Sequence, residues 1–141
     1  MTKTIEVAAA IVIENGRLFA AERGYGKWKG WYELPGGKVE PGESNQEALI
    51  REMREELRVD IAIEGHIQTI EYDYPDFHLI LHCYLCRLVN GRPQLLEHRA
   101  AKWLSSEEIT SVKWLPADEL LFDTFKKLLL DRKIGEKETI F

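Results

Sequence analysis

Residues 4–13 form an almost unbroken run of apolar and β-branched side chains, the pattern of a strand covered on both faces. Asn15-Gly16 is a strong signal for a two-residue hairpin turn, after which Leu18-Phe19-Ala20-Ala21 resumes the strand. A loop of glycine, aromatic and basic residues occupies 23–30, and a short extended piece at 31–34 ends at Pro35-Gly36-Gly37. The first helix is predicted over 44–57, because Ser44 and Glu47 make a capping box and no proline or glycine interrupts residues 45–57. Strands are predicted at 59–73 and 77–89, separated by Tyr74-Pro75-Asp76 and closed by the turn Asn90-Gly91-Arg92-Pro93. A short strand at 100–104 precedes a helical turn starting at 105–108. A last helix over about 117–133 carries Leu121, Phe122, Phe125, Leu128 and Leu129 on one face, which is core packing.

The 141 residues, 45% hydrophobic and 30% charged, read as one globular domain, 1–141, without linker or repeat. Acids outnumber bases 24 to 19 for a net charge of −5, which argues against a polycationic surface for a nucleic acid polymer or an anionic membrane. A small anionic ligand is still compatible with that balance, if placed cations or metal ions meet it. The apolar run at 7–13 is too short to span a bilayer and lacks a signal-peptide cleavage site, so a cytoplasmic protein is expected. Cys83 and Cys86 sit three apart in a predicted strand, on opposite faces, which disfavours both a disulfide and a zinc knuckle.

The surplus acid is concentrated. Glu40, Glu43, Glu47, Glu52, Glu55 and Glu56 fall within seventeen residues. With Glu52 at zero on a helical wheel, Glu55 lies at about 300° and Glu56 at about 40°, while Ile50, Met53 and Leu57 occupy roughly 100–160°. The helix thus carries an apolar stripe and, apart from it, three like charges on one face. Solvation alone accommodates such a face; so does a hard divalent cation, for which oxygen ligands at i, i+3 and i+4 are suited. Pro35-Gly36-Gly37 just upstream is an unobstructed backbone whose carbonyls are available to the same cation.

Residues 37–59 resemble the Nudix box, G-x5-E-x7-R-E-U-x-E-E-x-G-U with U aliphatic, through Gly37, Glu43, Arg51, Glu52, Met53, Glu55, Glu56 and Val59. Arg58 stands where the pattern has glycine, so this helix must end with a non-glycine residue in the left-handed conformation or end differently. The resemblance is nearest to MutT-like nucleoside triphosphate pyrophosphohydrolases, and extends to Trp31-Tyr32-Glu33-Leu34-Pro35, Glu97-His98 before Trp103, and Leu115-Pro116-Ala117-Asp118. It implies an α+β fold, an α/β/α sandwich with a mixed β-sheet between the Nudix-box helix and a C-terminal helix.

It also implies hydrolysis of a nucleoside triphosphate to the monophosphate and pyrophosphate, dependent on Mg2+ or Mn2+. The metal ligands would be Gly36, Glu52, Glu55, Glu56 and Glu97, the last being otherwise an ordinary loop acid. Glu55, Glu56 and Glu97 are the candidate general bases, and Arg51 would hold the site's geometry with Glu43 supporting the loop. Arg23 would contact phosphate or form a surface ion pair; Asp118 would face the base or cap the final helix; Phe77 is a candidate stacking partner, with Trp28 and Tyr74. The partner is a small nucleotide, such as 8-oxo-dGTP or a cytidine-type triphosphate. Other readings are a Nudix hydrolase of a different nucleotide derivative such as ADP-ribose, or a nucleotide-binding regulatory domain without turnover.

Overall fold

Asn15 and Gly16 both take positive φ, 52° and 72°, the pair of left-handed residues that a tight hairpin turn demands. They join β1 (Lys3–Glu14) to β2 (Arg17–Arg23), matching the expected hairpin. The computed structural model describes residues 3–96 and 98–138, with the backbone only at Arg99 and over residues 132–138. The chain packs as two compact units, and the division falls within β1, after Val12.

The first unit comprises residues 3–12 of β1 and residues 34–96. Here β1 runs parallel to β6 (Phe77–Asn90) and antiparallel to β4 (Gly36–Lys38), and β6 pairs antiparallel with β5 (Asp60–Asp73), so the sheet is mixed. β4 corrects the sequence reading, which ended the extended segment at Pro35-Gly36-Gly37. Glycines have no strand propensity, but the Ala8 and Ala9 backbone pairs closely with Gly37 and Gly36 and recruits them. α1 (Asn45–Leu57) lies on β4 and β5, burying Ala48, Leu49, Met53 and Leu57. Its start is the predicted capping box: the Glu47 amide donates to Ser44 Oγ at 3.1 Å, and the Ser44 amide to Glu47 Oε1 at 3.0 Å. Its end is the left-handed Arg58, φ 55° and ψ 41°, whose N–H donates to the Arg54 carbonyl at 3.1 Å. Cys83 and Cys86 are buried free thiols, and burial pushes Cys86 up to about 12.

The second unit comprises residues 13–33 and 98–138. β2 pairs antiparallel with β3 (Tyr32–Glu33) and with β7 (His98–Leu104). The expected long C-terminal helix is interrupted. α2 (Pro116–Glu119) closes at Leu120, and α3 (Phe122–Glu138) begins after it. The Leu120 and Leu121 amides donate three residues back, to Ala117 and Asp118, a tightened turn that breaks the α-helical ladder. The apolar stripe nonetheless buries Leu121, Phe125 and Leu129 with Trp114, and α3 packs on β2. Among the described residues no helix is long and apolar enough to cross a membrane.

Candidate active site

The carboxylate cluster is assembled by the passage from β4 into α1. Gly36 has φ 147°, and a Cβ there would run into the Ala8 carbonyl oxygen, so only glycine allows this approach to β1. At Gly37 a Cβ would overlap the Glu52 carboxylate, which occupies the space a side chain would take. Arg51 ties the segment together with all five of its N–H donors. Nε and Nη2 grip Glu43 Oε2 and Oε1 at 2.7 and 2.8 Å, Nη2 also donates to the Lys38 carbonyl at 3.0 Å, and Nη1 donates to Glu52 Oε1 at 2.9 Å and Glu55 Oε2 at 3.1 Å.

One guanidinium therefore holds two of the three helix carboxylates and the loop acid before them. The hydrogen bond from Arg51, with the Glu40 amide donating to the same carboxylate, draws the Glu43 pKa down to about 2. Arg51 in turn is held still more firmly protonated, chiefly by its hydrogen bond with Glu43. Glu52 is only 13% exposed whereas Glu55 is 60% exposed, so the pair offers one fixed and one solvent-reaching carboxylate. Glu56 is half-buried, with Oε2 shielded from solvent.

The remaining candidates lie elsewhere or outside the described residues. Arg23 donates from Nε to Glu33 Oε2 at 3.1 Å, an ion pair within the second unit. Burial works against the Arg23 charge, but Glu33 outweighs it, with smaller help from Tyr25 and Asp118, and its pKa is raised. Asp118 is 5% exposed inside α2, whose N-cap is Leu115. Phe77 opens β6 and stacks on Tyr74 at 5.0 Å between ring centroids, 24° from parallel. Glu97 lies outside the described residues.

Sequence reasoning assigned no role to Glu33 or His98, yet His98 Nε2 lies 3.2 Å from the same Glu33 oxygen that holds Arg23. The link depends on Arg23 facing His98 across β2 and β7, next to a register shift at Glu22, and no local pattern encodes it.

No ion need be fixed by protein alone for these residues to suit a divalent cation. Among the described residues no three His, Cys, Asp or Glu side chains close into a cage. The donors are hard oxygens on one helix turn beside glycine backbone, which fits a cation that keeps waters and takes further ligands from substrate phosphates.

Comparison with known proteins agrees with this arrangement. The NUDIX domain family matches residues 4–134. The CTP pyrophosphohydrolase of Escherichia coli is 35% identical over 89% of this chain and 94% of its own length. A putative 8-oxo-dGTP diphosphatase 2 of Mycobacterium tuberculosis is 36% identical over 84% of each. The crystal structure of the MutT protein from Methanosarcina mazei superposes with a TM-score of 0.79 at 25% identity, covering 89% of this chain and 95% of that one. Nudix hydrolases generally need a divalent metal. With its box, its α+β mixed-sheet fold and these relatives, the chain belongs to the Nudix family and is a hydrolase of the MutT-like kind.

Proposed function

We infer that the protein hydrolyses a nucleoside triphosphate to the monophosphate and pyrophosphate, using Mg2+, with Mn2+ as a substitute. The observation that carries this reading is the Arg51 clamp, which presents Glu52 and Glu55 on one turn of α1 beside Gly36 and Gly37. The names of the relatives, a CTP pyrophosphohydrolase and an 8-oxo-dGTP diphosphatase, support the substrate class. We read 1–141 as one Nudix domain working in the cytoplasm on a free nucleotide, with no polymer or membrane partner.

In this reading Glu52, Glu55, Glu56, Glu97 and the Gly36 carbonyl hold the cation. When bound, it neutralises polyphosphate oxygens and lowers the pKa of water. Glu55, Glu56 or Glu97 accepts the proton of the attacking water, and Arg51 keeps the carboxylates in place without touching phosphorus. Resemblance to MutT-like proteins, rather than any distance between the two units, is what assigns Arg23 to a phosphate oxygen and Asp118 to an exocyclic amino group of the base, and Phe77 is proposed to stack on the base. CTP and 8-oxo-dGTP both carry such an amino group.

The test is incubation with Mg2+ and a panel of CTP, 8-oxo-dGTP, canonical triphosphates and ADP-ribose, with separation of products. Monophosphate and pyrophosphate from a triphosphate are expected. AMP from ADP-ribose alone, or binding without any product, overturns the assignment.

A further inference from the structure

Two imidazoles outside the carboxylate site converge on one hydroxyl. His66 Nε2 lies 2.8 Å and His82 Nδ1 lies 3.0 Å from Thr69 Oγ1, on the face shared by β5 and β6. In a regular strand positions 66 and 69 would point to opposite faces. A bulge at Ile67 removes that parity: His66 pairs with Tyr84 and Thr69 with His82, so all four share a face. The far nitrogen of His82, Nε2, lies 3.2 Å from Glu6 Oε1 on β1, and His66 rests edge-on against Tyr84 at 5.3 Å between ring centroids.

We propose that His66 and His82, with the Thr69 hydroxyl, form a binding site for a late first-row transition metal ion such as Zn2+, Ni2+ or Cu2+. An ionised Glu6 can only accept, so the neutral His82 carries its proton on Nε2 and presents the Nδ1 lone pair toward Thr69. A carboxylate behind the imidazole is the support that metal-ligating histidines use to fix tautomer and ring orientation. His66 contributes Nε2 once its proton moves to Nδ1, and the Thr69 oxygen turns a lone pair inward, so the ring nitrogens release no proton. Both nitrogens reach the same hydroxyl oxygen, and in the proposed site the rings turn off that oxygen to take an ion at the roughly 2.0 Å a metal–imidazole bond needs, with water completing the coordination. Imidazole nitrogen selects this class of ion over Mg2+, whereas the oxygen donors of α1 suit Mg2+. The site spans three strands and uses no residue assigned to hydrolysis.

Zn2+ is titrated into the protein in saturating Mg2+, reading the imidazole carbon-bound protons by NMR; the chain has four histidines, so each signal is assignable. The His66 and His82 signals are expected to shift together and saturate at one equivalent, while those of His78 and His98 stay in place. His66→Ala and His82→Ala should each weaken binding at least tenfold, and Glu6→Gln by roughly tenfold. His66, Thr69 and Glu6 are exposed, so metal-free melting temperatures serve as folding controls. Undisturbed His66 and His82 signals, or unchanged affinity in both alanine variants, would overturn the site.

Discussion

Arg51 grips Glu43 through two parallel hydrogen bonds, 2.7 and 2.8 Å, while its remaining donors reach the Lys38 carbonyl, Glu52 and Glu55. Lysine keeps the charge but offers a single point of attachment in place of the fork. Arg51→Lys should therefore release Glu52 and Glu55 from their shared donor and lower kcat/KM by about 100-fold, the order expected from displacing reacting groups by about 1 Å. Steady-state kinetics with the best substrate of the panel checks this; activity within threefold of wild type would contradict it.

The same contact makes the fold sensitive to acid. Glu43 has its pKa lowered to about 2 from 4.5, so its contribution is full above about pH 4.5 and is lost as pH falls toward 2. Urea midpoints measured between pH 6 and pH 2 should show this decline in the wild type. Glu43→Gln should be less stable at pH 6 and show a shallower slope across that window.

His78 behaves in the opposite sense. Glu71 Oε1 lies 2.8 Å from Nε2 and Asp73 Oδ1 2.6 Å from Nδ1, and these two hydrogen bonds, Glu71 first, raise its pKa above 6.5. The stabilisation is present below pH 6.5 and disappears as pH rises through the folded-state value. An NMR titration should place the His78 midpoint above 6.5, and Glu71→Gln should lower it.

The two glycines of β4 should fail in different ways. Gly36→Ala sets a Cβ against the backbone oxygen of Ala8 at φ 147°, and should cost about 2 kcal/mol or more in stability. At Gly37 the atoms nearest an added Cβ all belong to the Glu52 carboxylate, a side-chain end that Gly37→Ala would push off its Arg51 hydrogen bond without shifting backbone. That substitution should leave the melting temperature within a few degrees of wild type while lowering kcat/KM at least tenfold. Equal loss of stability in both variants would contradict this distinction.

Arg58 occupies the left-handed position that glycine fills at the corresponding point of the Nudix box. Relief of that conformation in Arg58→Gly should raise stability by about 1 kcal/mol, read from chemical denaturation, with turnover unchanged.

Much of the fold and site was legible in the chain because the signals are local. The Asn15-Gly16 turn, the Ser44–Glu47 capping box and the helical spacing of Glu52, Glu55 and Glu56 each lie within a few residues, and each appears where its pattern points. What escaped depends on pairing over distance. Gly36 and Gly37 become a strand because β1 lies beside them, and the helix break at Leu120 comes from a tightened turn inside an otherwise helical pattern. The Arg23–Glu33–His98 link and the shared face of His66 and His82 both arise next to register shifts, which alternation alone does not announce.

If the carboxylates of α1 drive hydrolysis of a nucleoside triphosphate, Glu56→Gln must remove that turnover and leave the fold intact. Products from CTP and from 8-oxo-dGTP with Mg2+ are followed by 31P NMR for the wild type and the variant, with melting temperatures measured in parallel. Monophosphate and pyrophosphate are expected from the wild type, with at least 100-fold slower release from a variant that is equally folded. Full turnover in Glu56→Gln, or orthophosphate with the nucleoside diphosphate as the wild-type products, would contradict this assignment.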